Sequence, residues 1–337
     1  MKTLRVLSID GGGIRGYLPA LLLVELERRA GRPLIDLFDF AAGTSTGGII
    51  AIGLAAGISA AELADFYPRY GSRIFGGDTG QSEWSKRLLG TGRTFEERML
   101  NPANKIGAIA GRDTKWGGNA RHQATGLRGV LEEVLGTARL SEARLPLFIT
   151  SYEANDGIPV VFSTVDAAAE PRYDASLVDI ALATSAAPTY LPPHEFTWAG
   201  APHRFVDGGV WANNPAVVAV MGLYPFVVHR GPSESALFLT SLGTGMSSAK
   251  PSFTAEASWA HAFVDVSKMA TSISGSDVLA SRALWDDYAR LQVIDDRIAG
   301  AMDDPSPARL GALRGAAETL IQTESDELDR IVARLTQ

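Results

Sequence analysis

An α/β fold built on a largely parallel central sheet is the class this sequence predicts, on three observations. Short runs of apolar residues have strand length, among them Leu4 to Ile9, Leu37 to Ala42 and Ala236 to Leu242. Helical patterns alternate with such runs from the N-terminus onward, as parallel strands joined by crossover helices require. Two of the strand-to-helix transitions are glycine-rich turns, at residues 11–16 and 43–48.

The first strand is Leu4 to Ile9. The glycine cluster Gly11-Gly12-Gly13-Ile14-Arg15-Gly16 follows, and then a helix from Tyr17 to Ala30. Its apolar positions, Leu18, Leu22, Leu23 and Leu26, recur at helical spacing, and Gly31 ends it. Leu37 to Ala42 is a strand, Thr46 to Ala56 the helix after it, and Ala60 to Tyr70 another helix. Residues 71–126 break the pattern: Gly, Arg, Asn and Thr dominate, with scattered aromatics, and so long an irregular stretch reads as a cap over a site. Leu127 to Leu135 is helical. Leu145 to Ser151 and Ile158 to Phe162 read as strands paired across the turn signal Glu153-Ala154-Asn155-Asp156-Gly157. A small-residue helix runs from Leu177 to Ala187, a strand ends at Val206, and another ends in Gly243-Thr244-Gly245. From Trp259 onward the pattern is mostly helical, with a break near Asp303 to Pro307.

Composition bounds the function. The chain has 337 residues, 46% of them hydrophobic, enough for a sizeable core. No apolar run reaches the roughly 18–20 residues that span a bilayer. Met1 to Asp10 is too short and too interrupted for a signal peptide. Without cysteine there is neither a disulfide framework nor thiolate chemistry. A cytoplasmic protein, transiently at a membrane surface, is the expectation. The net charge of −7 argues against binding a nucleic-acid polymer. Residues 69–128 nevertheless hold eleven Lys/Arg against five Asp/Glu, a balance that suits an anionic partner as well as a solvated face.

Asp39-Phe40-Ala41-Ala42-Gly43-Thr44-Ser45-Thr46-Gly47-Gly48 has the Gly-x-Ser-x-Gly pattern of a nucleophile elbow. Such a turn brings strand and helix backbones together, so side chains two positions either side of the serine would collide. The hydroxyl is left at a helix start, where N–H dipoles favour developing negative charge. Gly11, Gly13 and Gly16 match the dinucleotide fingerprint Gly-x-Gly-x-x-Gly, with Asp36 or Asp39 as the distal acid of a nucleotide-binding oxidoreductase. Successive glycine amides at a helix start equally make an anion nest, here an oxyanion hole. The acids lie in the run feeding the serine elbow, which favours the second reading. No Gly-Lys-Ser/Thr is present, so no Walker loop is expected.

A serine needs a base. His122, His194, His203, His229 and His261 all follow Ser45, and none sits in a marked loop, so each reads as structural or exposed. Asp207 follows a strand and precedes Gly208-Gly209, and partial burial would raise its basicity. Taken alone, Asp207-Gly208 reads as a plain turn.

Taken together, Asp10-Gly11-Gly12-Gly13-Ile14-Arg15-Gly16, Gly43-Thr44-Ser45-Thr46-Gly47 and Asp207-Gly208-Gly209 resemble the patatin-like phospholipase family. Ala183 to Tyr190 resembles its pocket-lining segment, Val210 to Pro215 and Ser241 to Gly245 are similar to its later blocks, and only 71–126 has no close match. The resemblance implies a three-layer α/β/α patatin-like fold, with a catalytic domain over 4–245 and a helical segment over 259–337 packed on it. It further implies a lipid acyl hydrolase acting through a Ser–Asp dyad. Ser45 would be the nucleophile, Asp207 the base, and the amides of Gly12 and Gly13 the oxyanion hole. Arg15 would hold a lipid phosphate or brace the loop. Phospholipids or related acyl esters are the expected substrates, with no cofactor and no metal. Some bacterial members are antiviral effectors switched on by cyclic oligonucleotides, so a cyclic nucleotide activator is a second expectation. An inactive binding module that keeps the fold is the remaining alternative.

Overall fold

A computed structural model describes residues 2–75, 120, 122–188, 190–228, 235–247 and 275–337. Most of the expected cap, together with His229 and His261, lies outside the described residues. The strands are β1 (Lys2–Ile9), β2 (Phe40–Thr44), β3 (Leu147–Glu153), β4 (Ile158–Ser163), β5 (His194–Trp198), β6 (Ala201–Asp207), β7 (Ser235–Leu242) and β8 (Tyr288–Leu291). The helices are α1 (Tyr17–Ala30), α2 (Thr46–Ala55), α3 (Ala60–Phe75), α4 (Ala124–Leu135), α5 (Thr164–Ala169), α6 (Leu177–Ser185), α7 (Gly209–Ala212), α8 (Ala216–Val228), α9 (Gly275–Leu284), α10 (Pro307–Thr323) and α11 (Ser325–Thr336).

The eight strands of the described residues form one sheet, hydrogen-bonded in the order β5-β6-β3-β2-β1-β7-β8, with β4 on β3. Pairings among β3, β2, β1, β7 and β8 are parallel, and those of β4, β5 and β6 antiparallel. Successive strand residues point to opposite faces. Leu7, Ile9 and Phe238 therefore join one core with Leu22 of α1, Ile52 of α2, Leu313 of α10 and Ile331 of α11. Val6, Leu239 and Tyr288 join another with Ala219 and Leu223 of α8 and Ala280 of α9. These are the outer layers of an α/β/α sandwich.

Helix α1 shows how the pattern works locally. Leu18, Leu22, Leu23 and Leu26 are fully buried, and Gly31 takes a left-handed φ of 64° while its N–H donates to the Glu27 carbonyl. The hairpin read across residues 153–157 is present, with β3 and β4 paired from Phe148↔Ser163 to Glu153↔Ile158.

The C-terminal region differs from its helical reading in one element. Tyr288 to Leu291 forms β8, parallel to β7. A four-residue strand carrying Arg290 shows no apolar run, so nothing in the pattern marks it.

Parallel register aligns the strand ends. Ile9 pairs with Gly43 on one side and Leu242 on the other, so the loops after β1, β2 and β7 open on one edge of the sheet, where α/β folds build their sites. β6 reaches that edge from the opposite direction. Since β4 occupies one edge of β3 from Phe148 to Glu153, β2 and β6 must share the other. β2 stops at Thr44, beside Thr150, and β6 stops at Asp207, beside Ser151. The two strands meet end to end.

Candidate active site

Ser45 stands in a backbone conformation that side chains rarely adopt, φ 55° and ψ −125°. The glycines around it are steric necessities. A Cβ on Gly43 would lie 2.4 Å from the Gly47 carbonyl oxygen, and one on Gly47 would lie 2.3 Å from that of Ile9. Ser45 occupies the N-cap position of α2, yet its side chain makes no capping hydrogen bond. Its hydroxyl instead lies near enough to the Asp207 carboxylate to favour that group's charged form. The Ser45 amide donates to Thr184 Oγ1 at 2.8 Å.

Asp207 is 5% exposed, and the Gly209 N–H donates to its Oδ1 at 2.7 Å. Burial pushes its carboxyl up to about 6, while the Ser45 hydroxyl and the Gly209 amide hold it from rising further. A carboxylate poised there is basic enough to take a hydroxyl proton in passing and acidic enough to return it.

The glycine loop lies alongside. Gly11 N–H donates to the Asn213 carbonyl and Ile14 N–H to the Met302 carbonyl. Thr244 Oγ1 donates to Gly11 O at 2.6 Å. Gly13 has φ 59°, and a Cβ there would lie 2.4 Å from Met302 O. Among the described residues, the N–H groups of Gly12 and Gly13 have no protein acceptor.

Arg15 is buried, and its guanidinium donates to Gly245 O at 3.1 Å, Gly12 O at 3.4 Å and Met302 Sδ at 3.4 Å. Burial, helped by the neighbouring charge of Arg309, lowers it to about 10. These contacts turn its donors into the protein.

Among the described histidines, each pairs with an acid away from Ser45. His122 Nε2 lies 2.9 Å from Asp303, His194 Nε2 lies 2.9 Å from Asp179, and His203 Nδ1 lies 3.7 Å from Glu153. Asp39 binds Arg5 through its side chain and backbone, at the end of β1 remote from the glycine loop. It is therefore misplaced for the distal acid of a dinucleotide site, and Asp36 lies in a short turn beside it.

Three further side chains shape the site, and the sequence marks a role for Thr184 alone among them, as part of a pocket-lining segment. Arg290 clasps Asp10, the residue before the glycine cluster. Thr184 holds the Ser45 amide. The Asn213 side chain approaches Gly11 so closely that a Cβ there would lie 2.6 Å from its Oδ1. Asp10, Thr184 and Asn213 were at least visible within glycine-rich or small-residue blocks. Arg290 had no signal.

A strained serine near a buried acid, beside amides that have no acceptor among the described residues, places the chain in the class of α/β proteins with a nucleophile-elbow site. Comparison with known proteins narrows the class. The chain belongs to the patatin-like phospholipase family, whose profile, Patatin-like phospholipase, matches residues 7–220. It is 33% identical over 277 residues to Patatin-like protein 2 of Arabidopsis thaliana, covering 74% of this chain and 62% of that one. With Patatin-like protein 1 of Oryza sativa subsp. indica the identity is 33% over 278 residues, covering 74% and 60%. Patatin group J-1 of Solanum tuberosum is 29% identical over 359 aligned positions, covering 94% of this chain and 83% of its own length. The matched region thus spans somewhat under two thirds of the first two relatives.

Proposed function

We propose that this protein is a serine acyl hydrolase that cleaves fatty-acyl ester bonds of phospholipids or related lipids through a Ser45–Asp207 dyad. The meeting of Ser45, just past the end of β2, with the buried Asp207 carboxylate at the end of β6 carries the reading. Asp207 takes the hydroxyl proton as Ser45 Oγ attacks the ester carbonyl carbon, and the carbonyl oxygen becomes an oxyanion. The free amides of Gly12 and Gly13 stabilise that charge, and Arg15 keeps their loop in shape. The intermediate collapses with cleavage of the ester C–O bond, and Asp207 returns its proton to the departing alkoxide. An acyl-enzyme remains on Ser45. Water then attacks it with Asp207 again as base, and the fatty acid leaves as Ser45 recovers its proton.

Ser45→Ala tests the reading. Ester cleavage and labelling by a fluorophosphonate should both vanish while circular dichroism is unchanged, and cleavage at the wild-type rate would end it. A wild-type protein that neither labels nor cleaves would instead be the inactive module.

Lipid substrates imply transient action at a membrane surface. No helix among the described residues is long and apolar enough to cross one. We propose cyclic nucleotide activation, as in antiviral effectors, on the positive balance of residues 69–128. Titrating cyclic di- and trinucleotides into an ester assay tests it, and an unchanged rate without binding rejects it.

A further inference from the structure

One helix end touches the backbone of both members of the dyad. Thr184, in the last turn of α6, accepts the Ser45 N–H on Oγ1 at 2.8 Å. Ala186, just past that turn, accepts the Asp207 N–H on its carbonyl at 3.0 Å. Between them, Ser151 Oγ lies 3.3 Å from Ala183 O and 2.8 Å from Val206 O, tying α6 to the strand that ends in Asp207. Thr184 is fully buried. Its methyl stands against Gly48, where a Cβ would lie 2.9 Å from Cγ2.

A strained backbone keeps its conformation only where its surroundings over-determine it. The Ser45 carbonyl is tied into α2 by the Ile49 N–H at 3.0 Å, which leaves the Ser45 amide as the other handle on the elbow. The Thr184 oxygen holds that handle. Because the same short segment holds the Asp207 amide, it sets the separation between nucleophile and base.

We infer that Thr184 is a positioning residue, whose side-chain oxygen aligns Ser45 with Asp207 by anchoring the Ser45 amide. The inference rests on the dyad reading above. It concerns the oxygen and not the methyl, so isosteric and conservative substitutions separate the two.

Kinetics of T184V, T184S and S45A on a soluble acyl ester, across pH, test it. Misplacing a reacting group by a fraction of an ångström to 1 Å costs up to about 100-fold, so T184V should lose roughly 10- to 100-fold in kcat with KM nearly unchanged. Its acid limb should move upward, because the Ser45 hydroxyl, which favours the charged form of Asp207, is drawn away from it. T184S, which keeps the oxygen, should stay within about threefold of wild type. The inference is overturned if T184V keeps its kcat, if T184S falls as far as T184V, or if the acid limb stays in place. Should T184V fail to fold, T184A against T184S makes the same comparison. An active S45A would sink the dyad itself, whereas an inactive S45A beside a normal T184V would sink only the role of Thr184.

Discussion

Arg290 grips both carboxylate oxygens of Asp10, at 2.9 and 2.6 Å, across 280 positions of sequence. Asp10 also donates its backbone N–H to Leu242 O, so the glycine loop leaves β1 from a point fixed on two sides. The pair is nearly buried, with side-chain exposures of 14% and 5%, and Arg290 also donates to Ser241 Oγ at 2.7 Å. Removing one partner of such a pair strands a charge, at a cost of about 3–5 kcal/mol. Arg290→Met should therefore destabilise the fold by that order in urea titration. Adding Asp10→Asn should recover part of the loss, a coupling that a double-mutant cycle reads directly. Independent, additive losses would show that the two side chains do not depend on each other.

The Asp207 carboxyl predicts two opposite pH effects. As a base it must be charged, so kcat/KM should rise with pH through about 6 and level off above it. Asp207→Asn should lower kcat by about 10²–10⁴-fold. Its effect on stability runs the other way. The folded state holds this proton up to about 6, against 3.8 for the ordinary carboxyl. Its contribution is thus fully present below pH 3.8 and is lost as pH rises through 6. By pH 7 the buried charge costs on the order of 2–3 kcal/mol. Asp207→Asn should then be more stable than wild type at pH 8 and close to it at pH 4, by denaturant midpoints. A variant less stable at both pH values would mean that the carboxylate is not under strain.

The elbow glycines predict a steep contrast with a permissive one. A Cβ on Gly47 would fall 2.3 Å from Ile9 O and 2.6 Å from Asp10 O, both backbone atoms with nowhere to go. Gly47→Ala should cost more than about 4 kcal/mol or prevent folding. Gly31 has φ 64° but open space around it, so Gly31→Ala should cost only about 1–2 kcal/mol. Equal effects in thermal melts would refute the steric account.

These contrasts explain which parts were readable in advance. Gly43 answers a collision with Gly47 and Gly48 a few residues on, and Gly13 a left-handed φ, and a local constraint leaves its mark in the local sequence. The pairing of β3 with β4 was legible for the same reason, through a five-residue turn. Partnerships across the sheet left no such mark. Asp207 faces Ser45 only because β6 runs against β2 along one edge of β3, a fact of topology. β8 hid behind Arg290. α8, from Ala216 to Val228, is apolar on every side and interrupted by Pro225, so it shows no helical period. Residues 76–119 and 121, the part of the cap expectation outside the described structure, stay with the sequence alone.

The histidines supply the last contrast. His122 has what a triad histidine needs in part: burial, an acid 2.9 Å from Nε2, and an N–H anchored on Tyr190 O. It lacks the serine. Its partner Asp303 adjoins Met302, whose carbonyl holds the Ile14 amide, so the pair buttresses the segment behind the glycine loop. A buttress affects stability first. His122→Ala should lower the melting temperature while kcat keeps its pH dependence near 6 and falls by less than about tenfold. His194→Ala and His203→Ala, whose rings pair with Asp179 and Glu153 and not with Ser45 or Asp207, should change kcat by less than about threefold. A loss of 10³-fold or more in a folded His122→Ala variant would transfer the base from Asp207 to a histidine, and the mechanism would become a triad.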